Sequence, residues 1–132
     1  METLPSLFIS QDDFQKISQL LTVARPEIAD LLSDELSRAQ VMPFNMLPPN
    51  VVTMNSSVTF TDLDSHQEQT VSLVYPHEAN IEQKKVSILA PVGAALIGMQ
   101  VGNIIDWPIN ETKVKRIQVK HVIQPELKQE SP

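Results

Sequence analysis

The chain has 132 residues, enough for one domain of ordinary size or a small domain with an appendage. It contains no cysteine, which excludes disulfides, thiolate metal sites and cysteine nucleophiles, and its net charge of −6 makes it a poor nonspecific ligand for nucleic acid. Of its residues 42% are apolar but only four Phe, one Tyr and one Trp are aromatic, so the core is expected to be built from Leu, Ile, Val and Met.

The opening METLPSLFISQDD lacks the basic region and long apolar run of a signal peptide. No window approaches the roughly 18 apolar residues that cross a bilayer, so a soluble cytoplasmic protein is expected, with no membrane partner. Ser10 is placed to cap a first helix, with Asp13 at its third position. Phe14, Ile17, Leu20 and Leu21 recur at helical spacing, and Pro26 ends the helix near Thr22 or Val23. A second stripe follows in Ile28, Leu31, Leu32, Leu36 and Ala39, opened by Pro26 or Glu27. Two amphipathic helices with so short a connection hide both stripes by packing antiparallel, so residues 1–41 read as a helical hairpin. Asp30, Asp34 and Glu35 read as the solvated face of its second helix; Arg25 and Glu27 stand at its tip.

Residues 42–50, MPFNMLPPN, carry three prolines and no regular period, and read as a packed linker. Beyond them the period changes to two. Val58 and Phe60 share one side of a strand, DLDSHQ turns the chain, and Val71, Leu73 and Tyr75 form the next strand up to Pro76. HEANIEQKK is a polar connection. Val86, Ile88 and Leu89 form a third strand, Pro91–Ile97 a short helix, Ile104–Trp107 a fourth strand and Val114–Ile123 a fifth. Val114 and Val122 break the parity of the fifth strand, and a bulge near Lys115–Arg116 would reconcile them. Gly98 and Gly102 are expected at positive φ, and Gly93 at a close backbone approach. The fold class is therefore α+β: a mostly antiparallel sheet at 51–125 with one short helix against its face, and a polar tail at 126–132.

No catalytic constellation emerges. His66, His77 and His121 have no ligand spacing, no nucleophile elbow is present, and the glycines do not form a phosphate loop. No cofactor and no metal site is expected. The basic run Lys113, Lys115, Arg116 and Lys120 reads as a solvated strand face, with a partner-facing patch as the lesser alternative.

Residues 51–107 resemble the C-terminal domain of the bacterial Gre transcript-cleavage factors. VVTMNS, LVYP at 73–76 and APVGAALIG at 90–98 resemble the regulator of nucleoside diphosphate kinase (Rnk) family in particular, and hairpin, linker and domain follow in that family's order. The resemblance implies an FKBP-like C-terminal domain, an N-terminal antiparallel coiled coil and binding to RNA polymerase near the rim of its secondary channel. It places part of the docking surface at the strand-to-helix turn Leu89-Ala90-Pro91-Val92. Pro91 matches the family proline; Leu89 stands where some Gre factors place an acid. Gre factors carry a pair of acids at the coiled-coil tip, whereas this tip offers Glu27 beside Arg25. Helices of about 12–15 residues span roughly 20 Å, about half of a Gre-type coiled coil. The expected function is a regulator that occupies the polymerase rim as a monomer and competes with Gre-type factors without stimulating cleavage. The alternative, from the implied FKBP-like fold, is a peptidyl-prolyl isomerase, for which Phe60, Tyr75 and Trp107 are the aromatic residues on hand. Any influence on nucleotide pools is expected to be indirect.

Overall fold

The computed structural model describes residues 7–108 and 114–125. The expected tail at 126–132 and Lys113 lie outside the described residues, as does the side chain of Trp107.

The chain enters through a three-residue strand, β1 (Phe8–Ser10), which the hydropathy pattern did not announce. Ser10 then caps α1 (Gln11–Leu20), its hydroxyl accepting the Asp13 amide at 3.1 Å. Helix α1 ends two to three residues short of the expected Thr22 or Val23, and Pro26 opens α2 (Pro26–Arg38) at its first position. At about 1.5 Å per residue the two helices measure about 15 and 20 Å. After α2 the chain forms β2 (Gln40–Met42), which pairs with β1 in parallel. The α1–α2 pair is thus the crossover between two parallel strands, and the expected hairpin–linker boundary at 41/42 falls inside β2. The linker holds a single 3₁₀ turn at Phe44–Met46.

Five more strands form one sheet: β3 (Ser57–Asp62), β4 (Gln67–Val74), β5 (Lys85–Ser87), β6 (Ile104–Pro108) and β7 (Val114–Ile123). Their spatial order is β5-β4-β3-β7-β6, antiparallel throughout except for the β4–β5 edge pair. The alternation read in the sequence is real. Val58, Phe60, Ile117, Val119 and Val122 are buried on one face, while Thr59 and Thr70 share a 2.8 Å hydroxyl bond. The bulge, however, is not at Lys115–Arg116. Thr59 pairs with His121 and Phe60 with Val119, so Lys120 is the extra residue and Val122 returns to the buried face. Val114 needs no bulge because it is simply exposed.

Helix α3 (Pro91–Leu96) lies against the sheet, and Gly93 is what lets it. A Cβ there would drive into the Ser87 carbonyl and come within 3.1 Å of Leu73 Cδ1. Gly98 and Gly102 have φ of +80° and +97°, as expected.

The helices and the sheet share a single apolar core. Leu7 and Ile9, Ile17, and Ile28, Leu32 and Leu36 join Leu73, Ile88, Leu96 and Ile117 in one continuous cluster. Helix α2 packs on both α1 and α3. Backbone bonds reinforce the seam: Phe8 N donates to Gly98 O at 3.3 Å and Gln40 N to Leu7 O at 2.8 Å. Glu35 is the exception to the expected solvated face of α2, being 3% exposed among the apolar side chains.

Asp13 ties α1 to the sheet domain. Its carboxylate accepts the Met54 amide at 3.2 Å and the Tyr75 hydroxyl at 3.0 Å. Burial pushes this carboxyl above its ordinary value, and the bonds from Met54, Tyr75 and Ser10 partly hold it down. Burial and the adjacent Asp13 charge push the Tyr75 hydroxyl up, so it stays a donor. Asp13→Ala is expected to destabilise the fold by about 1–3 kcal/mol, because the half-buried Met54 N–H and Tyr75 O–H lose their acceptor. Urea unfolding checks this; an unchanged midpoint would show that water replaces the carboxylate without loss.

Candidate docking surface

The Leu89-Ala90-Pro91-Val92 turn is built by Ser87. The Ser87 hydroxyl accepts the Leu89 amide at 2.9 Å and its carbonyl accepts the Ala90 amide at 2.9 Å, folding the chain back as β5 ends. Ala90 is extended (φ −79°, ψ 151°), as a residue before proline should be, and Pro91 occupies the first turn of α3. Ala94 N then donates to Ala90 O at 2.9 Å and starts the helical ladder.

The four residues differ in what they present. Pro91 is exposed, Ala90 is half-buried, Leu89 is half-buried with its side chain against the core, and Val92 is buried. Val92 therefore anchors the turn from inside and offers little surface to a partner. Beside the turn runs a groove of about 450 Å³ whose apolar lining comes from Val71, Ala79, Ile81, Val86 and Ala90, with Lys84 and Lys85 alongside. Ile81 is 93% exposed. It begins a 3₁₀ turn, Ile81–Gln83, capped by Asn80 and closed by Lys84 in the left-handed region (φ 59°). This groove was not read from the sequence, where HEANIEQKK counted as a polar connection. The available signal was one isoleucine set in an otherwise polar loop.

The tip residues Arg25 and Glu27 are both exposed; Arg25 precedes α2 without capping it and Glu27 lies in its first turn. No cluster of three His, Cys, Asp or Glu side chains able to hold a metal ion occurs among the described residues. Two residues of the basic run are paired. Lys115 Nζ lies 3.0 Å from Asp62 and Arg116 Nε 3.3 Å from Asp106. The bond from Lys115 and the Asp64 amide holds the Asp62 carboxyl below its ordinary value. No helix among the described residues is long and apolar enough to cross a membrane.

The site is thus a strand-to-helix turn that leaves Pro91 exposed beside an apolar groove, with α3 packed closely on the sheet through Gly93. Residues 47–124 match the family "Transcription elongation factor, GreA/GreB, C-term". The "Regulator of nucleoside diphosphate kinase" of Escherichia coli (strain K12) is 40% identical over 108 residues, covering 80% of this chain and 79% of that protein. The chain belongs to the Rnk family, within the wider group that carries the GreA/GreB C-terminal domain. Transcription elongation factor GreA of Rhodospirillum rubrum is 36% identical over 75 residues, which is 57% of this chain and 48% of that protein. Among solved structures, a "Prokaryotic transcription elongation factor GreA/GreB from Nitrosomonas europaea" superposes with a TM-score of 0.77 at 39% identity, covering 92% of this chain and 100% of that one.

None of these relatives is named for proline isomerisation, and the isomerase alternative finds no support in them. Of the three aromatic residues it would use, the two with described side chains serve other contacts. Phe60 is buried in the sheet, while Tyr75 is bonded to Asp13 at the helix seam.

Proposed function

We propose that this chain is a regulator that binds RNA polymerase near the rim of its secondary channel, in the bacterial cytoplasm, and competes there with Gre-type factors without stimulating RNA cleavage. The observation that carries the reading is the exposed Pro91, flanked by Ala90 and the apolar groove, in a domain of the GreA/GreB type. The contact surface is Leu89, Ala90 and Pro91, with Val92 fixing the turn from within. Lys84 and Lys85 favour a partner whose apolar contact is bordered by acids. In this reading the N-terminal unit at 1–41, whose helices share the core, accompanies an FKBP-like docking domain at 51–125, and the chain acts as a monomer.

The lack of cleavage stimulation follows from reach and chemistry. Helix α2 spans about 20 Å and α1 about 15 Å, and both are held against the core rather than projected from it. Two carboxylates that share a Mg²⁺ with substrate make a cleavage tip; Glu27 next to Arg25 does not. Effects on nucleotide pools follow indirectly, since no phosphate loop is present in the sequence.

Added to backtracked, stalled transcription complexes, the protein is expected to leave RNA cleavage at its unstimulated rate. In the same complexes it should reduce the rate produced by a Gre factor. Stimulated cleavage by this protein alone would overturn the reach argument.

A further inference from the structure

We propose that α2 is a proton-gated latch, docked on the core while Glu35 is protonated and released as that carboxyl ionises. The inference goes beyond polymerase docking and does not rest on it. Its basis is geometric. Glu35 continues the stripe Ile28–Leu32–Leu36, is 3% exposed, and its Oε1 has no hydrogen-bond partner among the described residues. Among the described residues, the elements packed against α2 supply no bond to that oxygen. Helix α3 reads Pro-Val-Gly-Ala-Ala-Leu and has no ionisable group; β1 and β2 have none either. Helix α1 contributes Asp12, Asp13 and Lys16, but Asp13 is committed to Met54 and Tyr75, and none of the three acts on the Glu35 carboxyl. On α2 itself the influences are Arg38 and Asp34, which largely satisfy each other through a 3.4 Å ion pair.

A buried carboxylate with an unpaired oxygen costs far more than a buried carboxylic acid. Burial accordingly pushes Glu35 up to about 8, with Arg38 lowering it and Asp34 raising it by lesser amounts. With α2 open, Glu35 returns to the ordinary 4.5. The docked state therefore binds the proton more tightly. Its advantage is complete below about pH 4.5 and is lost as pH rises to about 8, roughly tenfold in the docked-to-open ratio per pH unit. Mild alkalinisation near neutrality thus loosens the helix pair while the sheet stays closed.

Amide hydrogen exchange of the full chain tests this, read as protection factors so that the intrinsic pH dependence of exchange cancels. Between pH 5 and 8, α2 amides of the wild type should lose about tenfold in protection per unit relative to Glu35→Gln, which keeps the side-chain shape without the charge. Sheet amides should not follow. As a second reading that needs no variant, the Glu35 carboxyl carbon in the wild type should titrate well above 4.5 by NMR. Parallel protection in wild type and Glu35→Gln, or a carboxyl midpoint at its ordinary value, would overturn the latch.

Discussion

Replacing Gly93 with alanine should lower stability by about 3 kcal/mol, the upper end of what overpacking a tight core costs. The added methyl meets the Ser87 carbonyl, which is backbone and already bonded to the Ala90 amide. It cannot rotate away as a side-chain tip would. Either α3 lifts from β5 or β5 shifts along β4, and both moves disturb the turn that presents Pro91. Gly102→Ala is the informative comparison. A Cβ there meets nothing within 4 Å, and only its φ of +97° opposes substitution; about 1 kcal/mol is expected. Thermal or urea unfolding of the two variants separates lack of space from backbone strain. Equal losses would mean that the α3–β5 contact relaxes freely.

The second large effect concerns the proposed polymerase contact. Ala90→Asp combined with Pro91→Glu should weaken binding to core RNA polymerase by about 30-fold or more, the effect of losing a central contact residue. The pair is chosen so that the fold survives. Ala90 precedes α3 as its cap, where Asp is preferred over Ala, and an acid at the first helical position favours the helix dipole. Leu89 is a poorer probe than the sequence alone indicates, because it packs partly on the core. A variant of unchanged melting temperature and unchanged affinity would move the docking surface elsewhere.

Much of this architecture is written locally, and those parts were legible. Ser10 caps α1, Pro26 opens α2, the two-residue alternation of Val58 and Phe60 forms β3, and Gly93 marks a backbone approach. Each follows from a rule that acts over a few residues. What escaped the sequence is fixed at long range. Strands β1 and β2 have three residues each, too few for a period to show, and they exist because they pair across the whole α1–α2 crossover. The β7 bulge falls at Lys120 because β3 dictates the register. The apolar Val114, which is exposed, drew the expectation toward the wrong end of the strand.

Glu35 is the instructive miss. Its spacing from Ile28 and Leu32 places it on the buried stripe, but its charge class argues for solvent. Spacing prevailed because burying the neighbouring leucines fixes which way that part of the helix faces, and a protonated carboxyl is tolerable inside. The candidate surface divides in the same manner. The Pro91 turn carries a local signature, whereas the groove beside it is assembled from β4, β5 and the loop around Ile81.

On the proposed reading, docking on RNA polymerase is itself the function. Titration of core RNA polymerase with labelled protein, followed by displacement with an unlabelled Gre factor, measures it directly. Binding is expected at micromolar concentrations or tighter, with full displacement by the Gre factor. No binding in that range, or binding that a saturating Gre factor leaves untouched, would contradict it.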